Sequence, residues 1–600
     1  MQQGSSINAL QKAHQLYESG QVVEAVDILK HIIETRPEVY QAWLLLSKYL
    51  YEVGYFEEAY LVIHRSEEFD PLKNEFQLIQ QAIKNNSIQD AEKVSRTMLR
   101  KQPGHPKAIF SLAHIASLSP TPESAITILN AGLAYNPASV SLTQMLIELL
   151  DINGLYQEAI NKCKEFRQNN NKYDAHWMYI MLLHKHGQYE EVLNATQKAR
   201  DVAGDDVTIL SQIDLVRAEA QRILGHRKAS EISLRKSLKQ NSNNAAAWWA
   251  LAELKNCHFS DSDRQQIKTL IDSPHIDSKN KCLACFALAK TSEQTSTVDD
   301  VMRHYNQANQ RYPTAYDATH VENDFNRLMT TYDGENLFTQ ASTVNFNKTP
   351  IFIVGLPRSG STLVEQILAS HSKIEGTVEQ PTIASVEKQA RSIAYKNYQT
   401  VLHECIGQFT AEQLAGLGSS YINNGSLYRE FETEFFTDKN PFNFRNIGFI
   451  HKILPHAKII DVRRNPLDCG LSLYKQYFTS GVDFSYDLKD IGAFYNSYLT
   501  LMSHWGVSLS NKVYTLHYEL LIANPEQQVN QLLDFIGLDF ESACLDFHNT
   551  ERAIRTASSE QVREPINTKG VGGWKAVSEY LEPLKEALGE ATLAQFKPYL

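Results

Sequence analysis

Nowhere in these 600 residues does an apolar run reach the ~20 residues that a bilayer span requires, and the first 20 residues lack the apolar core of a signal peptide. The expectation is a cytoplasmic protein without a membrane anchor. Cysteine is scarce: seven are scattered along the chain, which does not suit a disulfide framework. The close pair Cys282-x-x-Cys285 lies in a helical pattern with no second pair or histidine nearby, so helix packing is expected there rather than zinc or redox chemistry. Positive charge is also short. Lys and Arg number 58 against 69 Asp and Glu, a net charge of −11, which argues against a general nucleic-acid binder but leaves room for a local basic pocket. What remains, 43% hydrophobic and 21% charged, is the composition of a globular chain. Its length exceeds what one core supports, so about two to four domains are expected.

The N-terminal half repeats itself. Gly20 and Gly54 are 34 residues apart, as are Pro37 and Pro71, and Pro103 and Pro137. Ala25 recurs as Ala59, Ala91, Ala125 and Ala159, within phrases such as GQVVEAVDIL, GYFEEAYLVI and GLYQEAINKC. Each unit reads as two amphipathic helices with a small residue at their crossing and a proline after the second. The period resembles that of the tetratricopeptide repeat (TPR). One such pair cannot bury its own apolar face, so the units must stack into a solenoid with a groove. Register drifts after Gly187. We assign residues 1–315 to this helical solenoid and residues 316–348, polar and aperiodic, to a helix and linker.

Residues 349–600 read differently. They open on Ile351-Phe352-Ile353-Val354, a buried parallel strand, then a turn from Gly355 to Gly360, then a helix over Thr362–Leu368. Strand, Gly-x-x-x-x-Gly, and Ser/Thr at a helix start form the layout of a loop that cradles phosphate with backbone N–H groups. The nucleotide-hydrolase version needs Lys after the second Gly and a Ser/Thr holding Mg²⁺. Ser361 stands in the Lys position, and the fixed cation is Arg358, whose rigid fork suits a tetrahedral oxyanion without a metal.

Strand-like and helix-like segments then alternate, which implies a parallel sheet flanked by helices with its ligands at the carboxyl ends of the strands. Four places fall there. Glu379, 21 residues after Arg358, is a candidate general base for a hydroxyl acceptor. Lys439, ending FFTDK, is placed to neutralise charge on a leaving group. Arg463 and Arg464 follow the strand KIIDV, with Ser472 in the next helix, and make a second anion site. Tyr518 stands at the rim just after the strand VYTLH. Two anion sites suggest a nucleotide phosphorylated at both ends, such as adenosine 3′,5′-bisphosphate. The segment from Arg555 to Lys575, basic and glycine-containing, reads as a closing flap or a plain surface loop.

Together these motifs (GLPRSGSTLVEQILASH, DKNPFN, RRNPLDCGLS, LHYELLIANP and TASSEQVREP) resemble the sulfotransferases that use 3′-phosphoadenosine-5′-phosphosulfate (PAPS). They are most similar to bacterial proteins that join TPR repeats to a domain like tyrosylprotein sulfotransferase. The resemblance implies that Arg358, Ser359, Gly360, Ser361 and Thr362 hold the 5′-phosphosulfate, and that Arg464 and Ser472 hold the 3′-phosphate. It further places Tyr518 on the nucleotide, Ser558 near the phosphosulfate, Lys439 as catalytic lysine and Glu379 as base. The basic residue that family carries before its C-terminal Trp is Gly573 here, which leaves Lys569 or Lys575 to substitute, and Gln476 replaces a nucleotide-binding Arg. The implied reaction moves a sulfonate from PAPS to an acceptor hydroxyl, releases adenosine 3′,5′-bisphosphate (PAP), and needs no metal. The acceptor stays open among a peptidyl tyrosine presented by the TPR groove, a carbohydrate and a small molecule. A repeat-mediated homodimer is also consistent with the solenoid. The alternative of another class is a TPR scaffold with a degenerate nucleotide-binding domain.

Overall fold

The computed structural model describes residues 2–119, 121–338, 346–431, 433–549 and 562–599, and the side chains of all of these except 2–6, 335 and 599. The chain forms two compact units, Met1–Leu182 with Ala384–Leu402, and Leu183–Ile383 with His403–Leu600.

The first unit is built of antiparallel helix pairs, beginning with Val22–Thr35, Tyr40–Glu52 and Phe56–Ser66. The repeat's small residue has a single physical cause: Ala25, Ala59, Ala91, Ala125 and Ala159 are all fully buried, where any larger side chain would hold the helices apart. Five residues before Ala25 and Ala59, Gly20 and Gly54 turn the chain with φ of 82° and 90°. The third unit has Asn86 in that position at φ 58°, the residue that best tolerates this region after glycine. Helix Thr382–Ile393 from Ala384 onward, and the residues after it to Leu402, belong to this unit, where Lys396 Nζ lies 3.1 Å from Glu123 Oε2.

The second unit contains further helix pairs as well as the sheet. The pairing continues where the sequence text is irregular. Val192 and Ser230, each five residues after a positive-φ glycine (Gly187 and Gly225), are buried at the crossing positions. Ser230 satisfies its hydroxyl by donating to the Ala218 carbonyl at 2.8 Å. Cys282 and Cys285 are buried, unbridged, in helix Ser278–Ser292, as expected of packing residues. The region read as helix and linker contains helices Ala318–Thr331 and Glu335–Phe338, before residues 339–345, which lie outside the described residues.

Five parallel strands make the sheet: β1 (Thr349–Gly355), β2 (Ile374–Glu375), β3 (Phe435–Asp438), β4 (Lys458–Arg463) and β5 (Val513–His517), in the order β2-β3-β1-β4-β5. β1 lies in the middle and is covered on both faces, which explains its unbroken apolar run. One face packs Ile351, Ile353 and Ile460 against Val364, Ile367, Leu532 and Leu533. The chain leaves β1 toward one edge of the sheet and leaves β4 toward the other. The crevice for a ligand therefore opens at the carboxyl ends of β1 and β4. Helices plus this parallel sheet give the expected α and α/β architecture. Among the described residues no helix is long and apolar enough to cross a membrane.

Candidate active site

The loop after β1 is held in place by its neighbours. A Cβ on Gly355 would lie 2.5 Å from the Val462 carbonyl oxygen on β4, and one on Gly360 would lie 2.5 Å from the Tyr518 ring. Both glycines have positive φ, 141° and 101°, so neither position accepts a side chain. Between them Arg358 adopts φ 71°, a left-handed conformation that costs a non-glycine residue about 1 kcal/mol. Its Nε donates to Ser472 Oγ at 2.9 Å, and its carbonyl accepts from Arg464 Nη1 at 2.8 Å. Helix Ser361–Leu368 follows immediately, so the positive end of its dipole opens beside the loop.

Arg464, just past β4, is fixed on three sides. Nη2 donates to the Gly570 carbonyl at 2.6 Å, the guanidinium lies 5.1 Å from the centre of the Tyr518 ring, and the Arg464 carbonyl accepts from Tyr495 at 2.6 Å. Arg463 points elsewhere and pairs with the buried Asp461 at 2.7 Å. Burial and the like charge of Arg464 lower the pKa of Arg358, so the two cations stand together at an electrostatic cost. Among the described residues, Ser359 Oγ and Arg464 Nε are buried without a hydrogen-bond partner. Unsatisfied donors beside a loop of this kind suit an anion with many acceptor oxygens.

Glu379 and Lys439 meet at the other side of the loop, where the Lys439 ammonium donates to Glu379 Oε1. Lys439 is 1% exposed while the Glu379 side chain is 41% exposed, so the lysine is fixed and the carboxylate faces the opening. Hydrogen bonds from Thr377 to Thr437, and from Gln380 to Thr377, tie the segment bearing Glu379 to β3, which ends beside Lys439.

Two cavities result. The first, about 280 Å³, is lined by Arg358, Gly360, Thr362, Arg464, Ser472, Tyr518 and Lys569. The second, about 360 Å³, is lined by Arg358, Ser361, Thr362, Glu379 and Lys439, with Phe442 and Phe478. Arg358 and Thr362 belong to both, so the cavities share a wall at the loop. The structure thus places each of these candidate residues in one cavity or the other, while Ser359 is buried beneath the loop. Ser558 lies outside the described residues, as do residues 555–561 of the expected flap. The described end of that segment is pinned: Asp468 accepts from Gly572 N at 2.7 Å and from Trp574 N at 3.0 Å. Lys569 lines the first cavity, and Gln476 donates to Glu253 at 2.7 Å.

Sequence reading missed the positioning residues Asp468, Tyr495 and Glu519, the last of which accepts from Asn465 N at 2.8 Å. Asp468 and Glu519 left a trace, as acids inside RRNPLDCGLS and LHYELLIANP, and Tyr495 left none. It also missed Asp438, which is fully buried beside Lys439 and accepts from the Tyr421 hydroxyl at 2.9 Å. Burial, with the nearby Glu365 charge, pushes its carboxyl from 3.8 up to about 7. Between those values the folded chain keeps a proton that the unfolded chain releases, so this group's contribution to stability falls as pH rises from 3.8 to about 7. Asp438→Asn is expected to flatten the fall in melting temperature across that window. A mutant with the wild-type slope would show that the carboxyl titrates normally.

Residues 350–542 match a model of the sulfotransferase family. An uncharacterised Aquifex aeolicus protein is 30% identical over 345 residues, covering 56% of this chain and 45% of its own length, so this chain spans less than half of that relative. Protein-tyrosine sulfotransferase 1 of Danio rerio is 24% identical over 251 residues, 40% of this chain and 69% of that protein. Among solved structures, the sulfotransferase domain of the Synechococcus PCC 7002 olefin synthase aligns at 20% identity and TM-score 0.30, covering 38% of this chain and 89% of that domain. A tetratricopeptide repeat protein from Parabacteroides merdae aligns at 14% identity and TM-score 0.23, covering 41% of this chain and 98% of its own. Residues 350–542 are therefore similar to the sulfotransferase family, and the helix pairs before them repeat at the 34-residue period of the tetratricopeptide type.

Proposed function

We propose that the protein transfers a sulfonate group from PAPS to an acceptor hydroxyl, and that the acceptor is a peptidyl tyrosine. The observation that carries this reading is the pair of cavities sharing Arg358 and Thr362: one offers cations for a nucleotide phosphorylated twice, the other holds the Glu379–Lys439 pair. The donor enters the first cavity with its 5′-phosphosulfate against residues 358–362 and its 3′-phosphate toward Arg464 and Ser472. The unsatisfied Arg464 Nε fits such an anion. The acceptor enters the second, where its hydroxyl replaces Lys439 as the partner of Glu379.

Glu379 then takes the hydroxyl proton as the oxygen attacks sulfur. The new S–O bond forms as the bond from sulfur to the 5′-phosphate oxygen breaks, and PAP leaves with that electron pair. Lys439 and Arg358 donate to the oxygens on which charge builds. A sulfonyl group carries less negative charge than a phosphoryl group, so two fixed cations serve where a kinase uses Mg²⁺. Phe442 and Phe478 give the second cavity the apolar walls that suit a phenol ring, and the protein-tyrosine sulfotransferase relatives point the same way. A partner or substrate peptide has a candidate seat in the first unit, a cavity of about 360 Å³ lined by Tyr40, Tyr60, Phe166, Lys107 and Lys172.

Calorimetric titration with PAP and with ADP, each with and without Mg²⁺, tests the donor. Metal-independent, micromolar-range binding of PAP with ADP much weaker is the expected result. Preference for ADP with Mg²⁺ would replace this reading with a phosphotransferase, and binding of neither would leave a repeat scaffold.

A further inference from the structure

Among the described residues the first cavity is lined by four cations and one carboxylate, and one of those cations comes from the helical repeats. Lys255 stands in the turn after helix Ala245–Glu253. That turn is anchored by Leu254 and Cys257, both buried, and by the hydrogen bond from Gln476 to Glu253. Across the cavity mouth the segment carrying Glu564 leans on the repeats too, with Arg563 Nη2 donating to the Ile223 carbonyl at 3.0 Å. Lys255 Nζ lies 3.1 Å from Glu564 Oε1, and Lys569 Nζ lies 3.8 Å from Glu564 Oε2. One carboxylate is thus shared between two ammonium groups at the cavity's rim.

We infer that Lys255 is a nucleotide-binding residue, contributed by the helical repeats, that contacts the 3′-phosphate together with Lys569. This rests on the donor reading above. Sulfonate transfer must occur at the wall shared by both cavities, and neither Lys255, Glu564 nor Lys569 lines the second cavity. The phosphate that meets them is therefore the one remote from the transfer. A phosphate presents more charge and more acceptor oxygens than a carboxylate, so it displaces Glu564 from both lysines. Glu564 in turn holds the two ammonium groups in place. Through Lys255, an intact repeat region becomes a condition for full donor affinity.

The full-length chain is titrated with adenosine 3′,5′-bisphosphate and with adenosine 5′-monophosphate, which lacks the 3′ group. Lys255→Met is expected to weaken bisphosphate binding about tenfold, as for a charge-assisted contact, and to leave the monophosphate within about twofold. Lys255→Arg should recover most of the loss, and Glu564→Gln should tighten the bisphosphate by removing its competitor. The Lys255 side chain is 32% exposed, so the substitutions leave the core intact. Wild-type bisphosphate affinity in Lys255→Met, or equal loss for both nucleotides, overturns the assignment. A wild-type chain that binds no bisphosphate overturns the donor reading itself, and this inference with it.

Discussion

Lys439→Ala is expected to lower turnover roughly 10²–10³-fold, the loss of about 3–4 kcal/mol typical of one donor aimed at developing charge. Turnover here is the release of PAP from PAPS in the presence of an acceptor that the wild-type chain uses, tyrosine-containing peptides first. Lys439 lines the second cavity and not the first, so the affinity for PAP should hold within about threefold. That split separates a group acting at the transition state from one that merely shapes the donor pocket. Its partner should behave differently. Glu379→Gln removes the proton acceptor, at a cost of about 10²–10⁴-fold, and should abolish any limb of the pH–rate profile that belongs to the base. Because the two side chains act as a unit, the double variant should lose far less than the product of the single losses. Folding should be little affected in either case. The Glu379 side chain is 41% exposed and regains water when Lys439 is gone, and Lys439→Met preserves the buried stem. Turnover within a few-fold of wild type, or a loss of PAP affinity in step with turnover, would remove Lys439 from the chemistry.

Much of this site was legible because local physics forced the residue choices. Gly355 and Gly360 are legible since the backbone of β4 and the ring of Tyr518 leave no room for a Cβ, and the alanines at the 34-residue period since helices cross on them. Signals faded where another residue met the same demand. Asn86 takes a turn that glycine takes elsewhere, and Ser230 replaces alanine at a crossing by capping its hydroxyl on Ala218, so the repeat persists beyond its written pattern. Pairings across long stretches of chain left no trace at all. Glu379 and Lys439 are expected at one site, but nothing in the sequence announces their ion pair, that Asp468 holds the backbone at Gly572 and Trp574, or that Lys255 reaches the cavity that Arg464 lines. Those facts belong to the packing of the second unit, in which helices written as repeats and strands written as a sheet share one compact body.

Arg358→Ala should injure both halves of the reaction, since among the described residues Arg358 is the cation that lines both cavities. The affinity for PAP should fall about tenfold with one charge-assisted contact, and turnover should fall roughly 10²–10³-fold. Arg358→Lys should rescue little, because an ammonium keeps the charge but loses the planar fork that spans Ser472 and the donor oxygens. Stability should move the other way. The guanidinium is desolvated and stands beside Arg464, and its backbone is held at φ 71°. Removing the side chain relieves the first two costs, and Arg358→Gly relieves the third as well. Both variants should therefore melt at or above the wild-type temperature while catalysis collapses. That combination marks a residue kept for its chemistry at the expense of the fold. If Arg358→Ala instead melts several degrees lower and loses activity only in proportion, Arg358 is a strut that joins the loop after β1 to the helix bearing Ser472, and the charge on sulfur must be met by Lys439 alone.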